Sequence, residues 1–406
     1  MSIIRRRSIG KRGSYTVFLA MFMAGMIVMS GAVINAAHKM AVDSSMEDLG
    51  RVWTHSIMGE YDKVLRDRYG LYGYYGNDEM VREKLILYSD YSFKTKKYIK
   101  RGEISCHTGK YKLTDLDTFS RQIDHIALSI WFPVPFGEGN ATEDKDTEQN
   151  KGKEIRAGWI KGGLPSECYE GKGPQSGILS TISEASYIFK VFKDHVDDRN
   201  LGKTYFRNEV EYIISGKLSD EKAFRNVRDK LILERNGLNL TYLYTCPEKR
   251  EAALQAAELI TPGPEALITQ AIILETWAFL EARNDVALLT DGERVPLIKG
   301  DDNWALSIDN AVESEFGKDK DGELDTREEK KYVRPKVIEG QNYEEYLKTL
   351  LLAVPEKKKL LRIMDLIQIN MKYLYCGDFL MDDYRTGLEW QMEINGKEHF
   401  FYEKYK

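Results

Sequence analysis

The chain has 406 residues, 30% of them charged, with a net charge of −5 and four cysteines. Near-balanced charge excludes a broad nucleic-acid-binding surface, and the absence of any CxxC spacing excludes the usual zinc and thioredoxin-type chemistry. At this length, whatever lies outside a membrane segment can form one large or two modest domains.

Residues 1–13 form a basic head that carries Arg5, Arg6, Arg7, Lys11 and Arg12. An uncharged stretch follows at 14–37, SYTVFLAMFMAGMIVMSGAVINAA. Crossing the hydrocarbon core takes about 20 apolar residues, so this stretch predicts a transmembrane helix. The five cations act as a topology determinant that keeps the N-terminus cytoplasmic and the rest of the chain outside. A cleavable signal has a shorter apolar region, about 7 to 15 residues, closed by a small-x-small site. The best such site here, Asn35-Ala36-Ala37, carries Asn where a small residue belongs, and the helical pattern runs on past it. An uncleaved single-pass anchor is therefore expected. Ala20, Ala24, Ala32 and Ala36 share one four-residue row, the small-residue pattern that lets helices pack closely. Alanine is also simply common in spanning helices, and both readings stand.

Beyond the anchor, Val42, Met46, Leu49, Trp53, Ile57, Tyr61 and Val64 recur every three or four residues, which is one face of a helix. The spacing predicts a single helix from Tyr15 to Arg68, roughly 80 Å long, with residues 38–76 as a stalk and its end. Gly70, Gly73 and Gly76 close it, and Tyr69, Tyr72, Tyr74 and Tyr75 there read either as a docking surface or as packing beneath the domain.

Residues 77–132 are the first part of the ectodomain. A helix over 78–100 is followed by an extended piece at 103–113, and Thr114, Asp115 and Asp117 cap an amphipathic helix through Phe119, Ile123, Ile126 and Ile130. The polar, glycine-rich stretch 133–177 reads as a flexible insertion. From 178 to 406 helical periodicity dominates. Helices are expected from Ile178, over Phe206–Ser215, after Ser219, after Pro247, and over 261–289, where polar interruptions at Gln270, Glu275 and Glu281 mark a central buried helix and not a second span. VPLIK at 295–299 reads as a short edge strand. Helices at 343–352 and 358–374 lead to Leu388, Trp390, Met392 and Ile394, which alternate before Asn395-Gly396, the preferred two-residue hairpin turn. The fold class is α+β, mostly helical: a transmembrane helix continuing into a long stalk helix, then a helical ectodomain with a small antiparallel sheet.

Chemical motifs are few. In EFGKDKDGELDTREE, aligning Gly322 with the turn glycine of a calcium loop puts Asp319, Asp321, Glu323, Asp325 and Glu328 at ligand positions. The first ligand position is Gly317, so a solvated acidic turn is favoured, with calcium as the alternative metal reading. Ser219 to Lys222 is formally S-x-x-K without its partner motifs, and a helix N-cap is the simpler role for Ser219. HExxH, GxSxG and GxxxxGK[ST] are absent, and the histidines are not at ligand spacing from one another. In RIMDLIQIN, Asp365, Gln368 and Asn370 read as a buried polar network in preference to a ligand-reading face. Cys106 with Cys168 is left open as a disulfide.

Three blocks carry a resemblance: GSYTVFLAMFMAG with EYDKVLRDRYGLY; GKLSDEKAFRNVRDKLILERNGLNLTYLYTCPEKREAALQAAELI with ILETWAFLEARNDVALLTDGERVPLIK; and NYEEYLKTLLLAVPEKKKLLRIMDLIQINMK. Together they resemble an uncharacterised family of single-pass membrane proteins from clostridial-type Gram-positive bacteria, with an N-terminal segment similar to the TadE and TadG components of Tad (Flp) pilus assembly. The resemblance implies a bacterial cell-membrane protein with an extracytoplasmic domain and partners among other single-pass pilus or secretion components. It carries over no activity or cofactor. Processed pilins have glutamate five residues after the cleavage-site glycine, whereas here Gly13 is followed at that position by Phe18. The expectation is therefore an accessory or minor pseudopilin-like component, membrane-anchored, structural and not an enzyme. The alternative is an anchored ectodomain with an unrecognised enzymatic or solute-binding activity.

Overall fold

The computed structural model describes residues 12–96, 98–131, 153–155, 160, 162–174, 178–197, 199, 203–316 and 332–405. The described elements, in chain order, are α1 (Arg12–Met58), α2 (Lys63–Tyr69), β1 (Tyr74–Tyr75), α3 (Asp78–Phe93), β2 (Arg101–Cys106), α4 (Leu116–Trp131), α5 (Pro165–Cys168) and α6 (Ile178–Val191). They continue with α7 (Glu209–Ser215), α8 (Asp220–Thr245), α9 (Pro247–Ile260), α10 (Ala266–Thr290), α11 (Ile308–Phe316), α12 (Tyr343–Leu352), α13 (Glu356–Leu374), β3 (Tyr384–Arg385), β4 (Gly387–Ile394) and β5 (Lys397–Lys404). The fold is α+β and mostly helical. Two compact units divide it: one from Met1–Tyr61, Gly73–Tyr111 and Arg385–Tyr405, the other from Asp62–Tyr72 and Lys112–Tyr384.

The first unit is a helix laid on a sheet. Strands β2, β4 and β5 form an antiparallel sheet in that order, with Trp390 opposite Cys106 on one side and Phe401 on the other. Period-two alternation puts Leu388, Trp390, Met392 and Ile394 on one face, and all four are buried. The stripe of α1 covers them: Val42, Met46, Trp53 and Ile57 are buried in the same core as Val81 and Leu85 of α3. Trp390 donates its indole N–H to the Thr54 hydroxyl at 2.9 Å and stacks on Phe401 at 4.4 Å between centroids. The hairpin turns as its sequence predicts, with Asn395 at φ 50° and Gly396 at φ 83°, both left-handed.

The single helix expected to Arg68 is two helices. α1 stops at Met58, where the Gly59 N–H returns to the His55 carbonyl at 2.8 Å and the Glu60 N–H to Ile57 at 3.1 Å. Asp62 then starts α2 by accepting the Leu65 N–H at 2.9 Å, and Gly70, at φ 71°, ends it. Tyr61 and Val64 stay in phase with the stripe across this break, which is why periodicity alone reads through it. The stalk residues from Val42 to Ile57 are likewise core residues of their own unit.

The second unit packs α10 along α8 and α9, α4 on α6, and α13 against α4, α5 and α7. As expected, α10 is a central buried helix, with Ile273, Leu274, Ala278, Ala282, Val286 and Leu289 essentially inaccessible. The edge strand expected at 295–299 is absent: Val295 makes one bridge, to Gln341, with N–H to carbonyl distances of 2.9 and 3.0 Å. Pro296 has no N–H to extend the ladder, and Lys299 turns into a buried ion pair instead. In the stretch 133–177, Ile155, Ile160 and Leu164 are buried in the core and residues 165–168 are helical. A few apolar residues, diluted among glycines and charges, carry that packing.

Candidate functional site

One helix among the described residues, Tyr15–Met58 within α1 and near the N-terminus, is long and apolar enough to cross a membrane. A membrane anchor and an N-terminal signal sequence both satisfy that criterion. Every residue from Tyr15 to Ala41 is exposed, including Ala20, Ala24, Ala32 and Ala36. Arg5, Arg6, Arg7 and Lys11 lie outside the described residues, and Arg12 opens α1. The acidic turn with Asp319, Asp321, Glu323, Asp325 and Glu328 also lies outside them. Among the described residues no group of three or more His, Cys, Asp or Glu is placed to hold a metal. All four cysteines are unbridged, Cys106 buried and Cys168 exposed, so the disulfide left open between them is not formed.

The second unit contains a cleft of about 420 Å³ lined by α5 and the turn before it, by Leu380 to Asp383, and by Lys112, Thr114 and Gln368. Pro165 sets the first turn of α5, and Glu167 accepts the Leu164 N–H at 3.3 Å. Two left-handed glycines precede it, Gly162 at φ 96° and Gly163 at φ 74°. A Cβ on Gly163 would stand 2.5 Å from the Cys168 Sγ, so only glycine lets the turn close over that thiol. Gln368 ties the two walls together, donating to the Gly163 carbonyl at 2.8 Å and accepting the Met381 N–H at 3.0 Å. Both ends of its amide are used, so it positions the cleft. At the mouth, Asp382 accepts from Lys112 at 2.7 Å and from Thr114 at 2.9 Å. The cleft thus has an apolar floor of Leu164 and Leu380, an aromatic wall in Tyr169, and a rim of Lys112, Asp382 and Asp383. No histidine lines it, and the Cys168 thiol faces the Gly162 carbonyl at 3.6 Å.

Around the cleft, α13 holds a buried polar network. Asp365 accepts the Ser166 N–H at 2.9 Å and the Tyr212 hydroxyl at 2.8 Å; Asn370 accepts the Tyr205 N–H at 2.8 Å and donates to Glu209 at 2.7 Å. Arg362 donates to the Ile213 and Ile214 carbonyls near the end of α7, at 2.7 and 3.0 Å. Burial pushes Asp365 up to about 6 and Glu209 up to about 7. Ser219 does occupy the N-cap position of α8, but its hydroxyl makes no cap hydrogen bond.

Sequence reading missed a second network. Arg235 of α8 and Asp285 of α10 are fully buried and paired at 3.0 Å, while Lys299 reaches Asp285 at 2.6 Å and also Glu281. Its signal was present in Glu281 and Asp285, four apart on one face of an otherwise apolar helix. The cleft residues gave no such signal, since they come from four separate segments of the chain.

A family model described as a family of unknown function (DUF5702) matches residues 128–396, which include α5, α13 and Leu380 to Asp383 of the cleft. No curated protein and no solved structure matches the chain. The match covers more than half of the sequence, and the chain belongs to this family of unknown function.

Proposed function

We propose that the protein is a membrane-anchored extracytoplasmic structural or assembly protein and not an enzyme. The observation that carries this reading is the unbroken passage of α1 from an apolar, wholly exposed half into a half that builds the core of a folded unit. Val17, Phe18, Leu19, Met21 and Phe22 are each at least 57% exposed, and in water such a surface would be a liability; in lipid it is an anchor. The basic head supports an N-terminus in the cytoplasm of a bacterial cell and the C-terminal domain outside.

The finer reading is an accessory, pseudopilin-like component that associates with other single-pass proteins of a Tad/Flp-type pilus or surface secretion system. The resemblance of the N-terminal segment to TadE and TadG supports it, as does a helix that leaves the membrane and lies on an antiparallel sheet. Its test is partner capture: Ala24→Leu with Ala32→Leu should abolish co-purification with single-pass membrane partners, and unchanged capture would rule out packing through that row.

Orientation has its own test. Cys168 and Cys376 are exposed, so a membrane-impermeant maleimide should label them on intact cells. Labelling that appears only after lysis would reverse the topology.

The cleft favours a second reading, a solute-binding ectodomain. A panel of small polar solutes should then raise the melting temperature of the wild type and not of Asp383→Asn; no shift from any of them counts against it.

A further inference from the structure

Lys249, in the first turn of α9, extends into a box of three aromatic rings. Its Nζ lies 5.9 Å from the ring centre of Tyr242, 5.3 Å from Trp277 and 5.2 Å from Trp304. The rings come from α8, from α10 and from the segment after α10, and their mutual arrangement is fixed without the lysine. Trp277 and Trp304 meet edge to face at 5.5 Å, Tyr242 and Trp304 are also 5.5 Å apart, and Trp277 donates its N–H to the Leu306 carbonyl at 3.0 Å. Tyr242 donates its hydroxyl to Asp301 at 2.9 Å, which sets a carboxylate at the open side.

No buried acid locks the occupant in place. Lys249, its side chain 16% exposed, pairs with Asp301 at 3.2 Å, but the aspartate side chain is 64% exposed, and an ion pair with so solvated a partner contributes little. A cation in the first turn of a helix is also opposed by the helix dipole, so helix stability does not explain the lysine. Lys299 reaches Trp304 at 5.4 Å but is fixed and neutralised by Glu281 and Asp285. Trp304, itself buried, has an indole N–H with no acceptor among the described residues, a donor that a ligand hydroxyl or carboxylate would satisfy.

We propose that the box of Tyr242, Trp277 and Trp304, closed by Asp301, is a binding site for a small quaternary ammonium compound, with Lys249 as a built-in occupant that the ligand displaces. A methylated ammonium sheds water more readily than the lysine ammonium and offers its whole surface to the ring faces. On displacement the Lys249 side chain, 16% exposed while it fills the box, swings out into solvent, and that gain in exposure is what the modification experiment reads.

The test uses the full chain in maltoside detergent, titrated with tetramethylammonium chloride against matched sodium chloride and read by tryptophan fluorescence. Lys249→Gln should bind about tenfold more tightly than the wild type, the scale of one lost cation–π competitor. Lys249→Arg should not gain affinity, and Trp277→Leu added to Lys249→Gln should abolish binding. A Lys249→Gln protein that melts like the wild type and shows no saturable change would overturn the proposal. A second measurement needs no variant: tetramethylammonium should raise acylation of Lys249 by a water-soluble reagent, read by mass spectrometry, and constant acylation would also overturn it. Repeating that measurement in phosphatidylcholine and phosphatidylglycerol nanodiscs separates a lipid headgroup from a free cation: a rise without added ligand only in the former names the headgroup.

Discussion

Buried carboxylates in the second unit are tied to backbone N–H groups of irregular segments. Glu209 accepts from Lys193 at 3.1 Å, Glu211 from His195 at 2.9 Å, Asp220 from Arg207 and Asn208 at 2.9 and 2.8 Å, and Glu281 from Ala305 and Leu306 at 2.9 Å. Such acids replace the partners a loop would otherwise find in water. Burial, reinforced by Asp194, pushes Glu211 up to about 8. A carboxyl raised in the folded state binds protons more tightly there than when unfolded, so its stabilisation is full below the unfolded value and is lost as pH rises through about 8. Wild-type melting temperature should therefore fall between about pH 5 and about pH 9. Glu211→Gln removes the charge and keeps an acceptor for the His195 N–H and the Tyr343 hydroxyl. Its profile should be flatter and cross above the wild type on the alkaline side; parallel profiles would show that another group sets the slope. Arg235 poses the opposite case. It is fully buried and donates to Asp285, Asn239, Tyr346 and the carbonyls of Pro296 and Leu297. Arg235→Met strands Asp285 with one cation for two carboxylates, and should cost about 3–5 kcal/mol in denaturant unfolding. A cost below about 1 kcal/mol would mean that Lys299 alone satisfies the pair.

Elements are terminated and aligned by single residues, and these decide how far the sequence can be read. Asp62 caps α2 and fixes the restart after α1; Asp62→Ala should cost about 1 kcal/mol, measured by thermal unfolding. Gly50 sits inside α1, where glycine weakens a helix by about 1 kcal/mol relative to alanine. Its reason is Phe401: a Cβ at position 50 would stand 2.1 Å from that ring. Gly50→Ala should destabilise by about 1–3 kcal/mol through that clash, and Phe401→Leu in the same chain should recover part of the loss. Independent, additive costs in the double variant would remove Phe401 as the cause. Asn395-Gly396 and the alternation before it made the hairpin legible, because turn chemistry and period-two patterning are local signals. The break at Gly59 was hidden because the apolar phase survives it. VPLIK was misread for the reverse reason: its composition suits a strand, while Pro296 and the buried pull on Lys299 deny it a ladder. Of the cleft, the sequence pointed to Gln368, as a polar residue on an apolar helix, and to Thr114 and Cys168, each for a role unrelated to a cleft. The glycine turn at 162–163 and the acids at 382–383 carry no pattern that joins them before folding does.

At the scale of the molecule, the first unit is discontinuous: α1 at one end of the chain needs β4 and β5 at the other, with 112–384 intervening. Contacts so distant in sequence close late and slowly. The boundary between the wholly exposed apolar segment and the domain then falls inside one helix, between Ala41, which is exposed, and Val42, which is 8% exposed. This gives a sharp expectation for truncation. A chain starting at His38 retains Val42, Met46, Trp53, Ile57 and Met58, the α1 residues buried in the core of the first unit, and should be soluble without detergent and unfold cooperatively. A chain starting at Glu60 loses Met46, Trp53 and Ile57, each of the kind whose removal costs about 2–5 kcal/mol in a core, and leaves the Leu388, Trp390 and Met392 face bare. It should aggregate, or show Trp390 in a water-exposed environment by its red-shifted emission. If instead the shorter chain folds like the longer one, α1 is a separable leader and the anchor is not structurally coupled to the domain. If the longer chain also requires detergent, the apolar surface that binds membrane extends past Ala41 into the folded units.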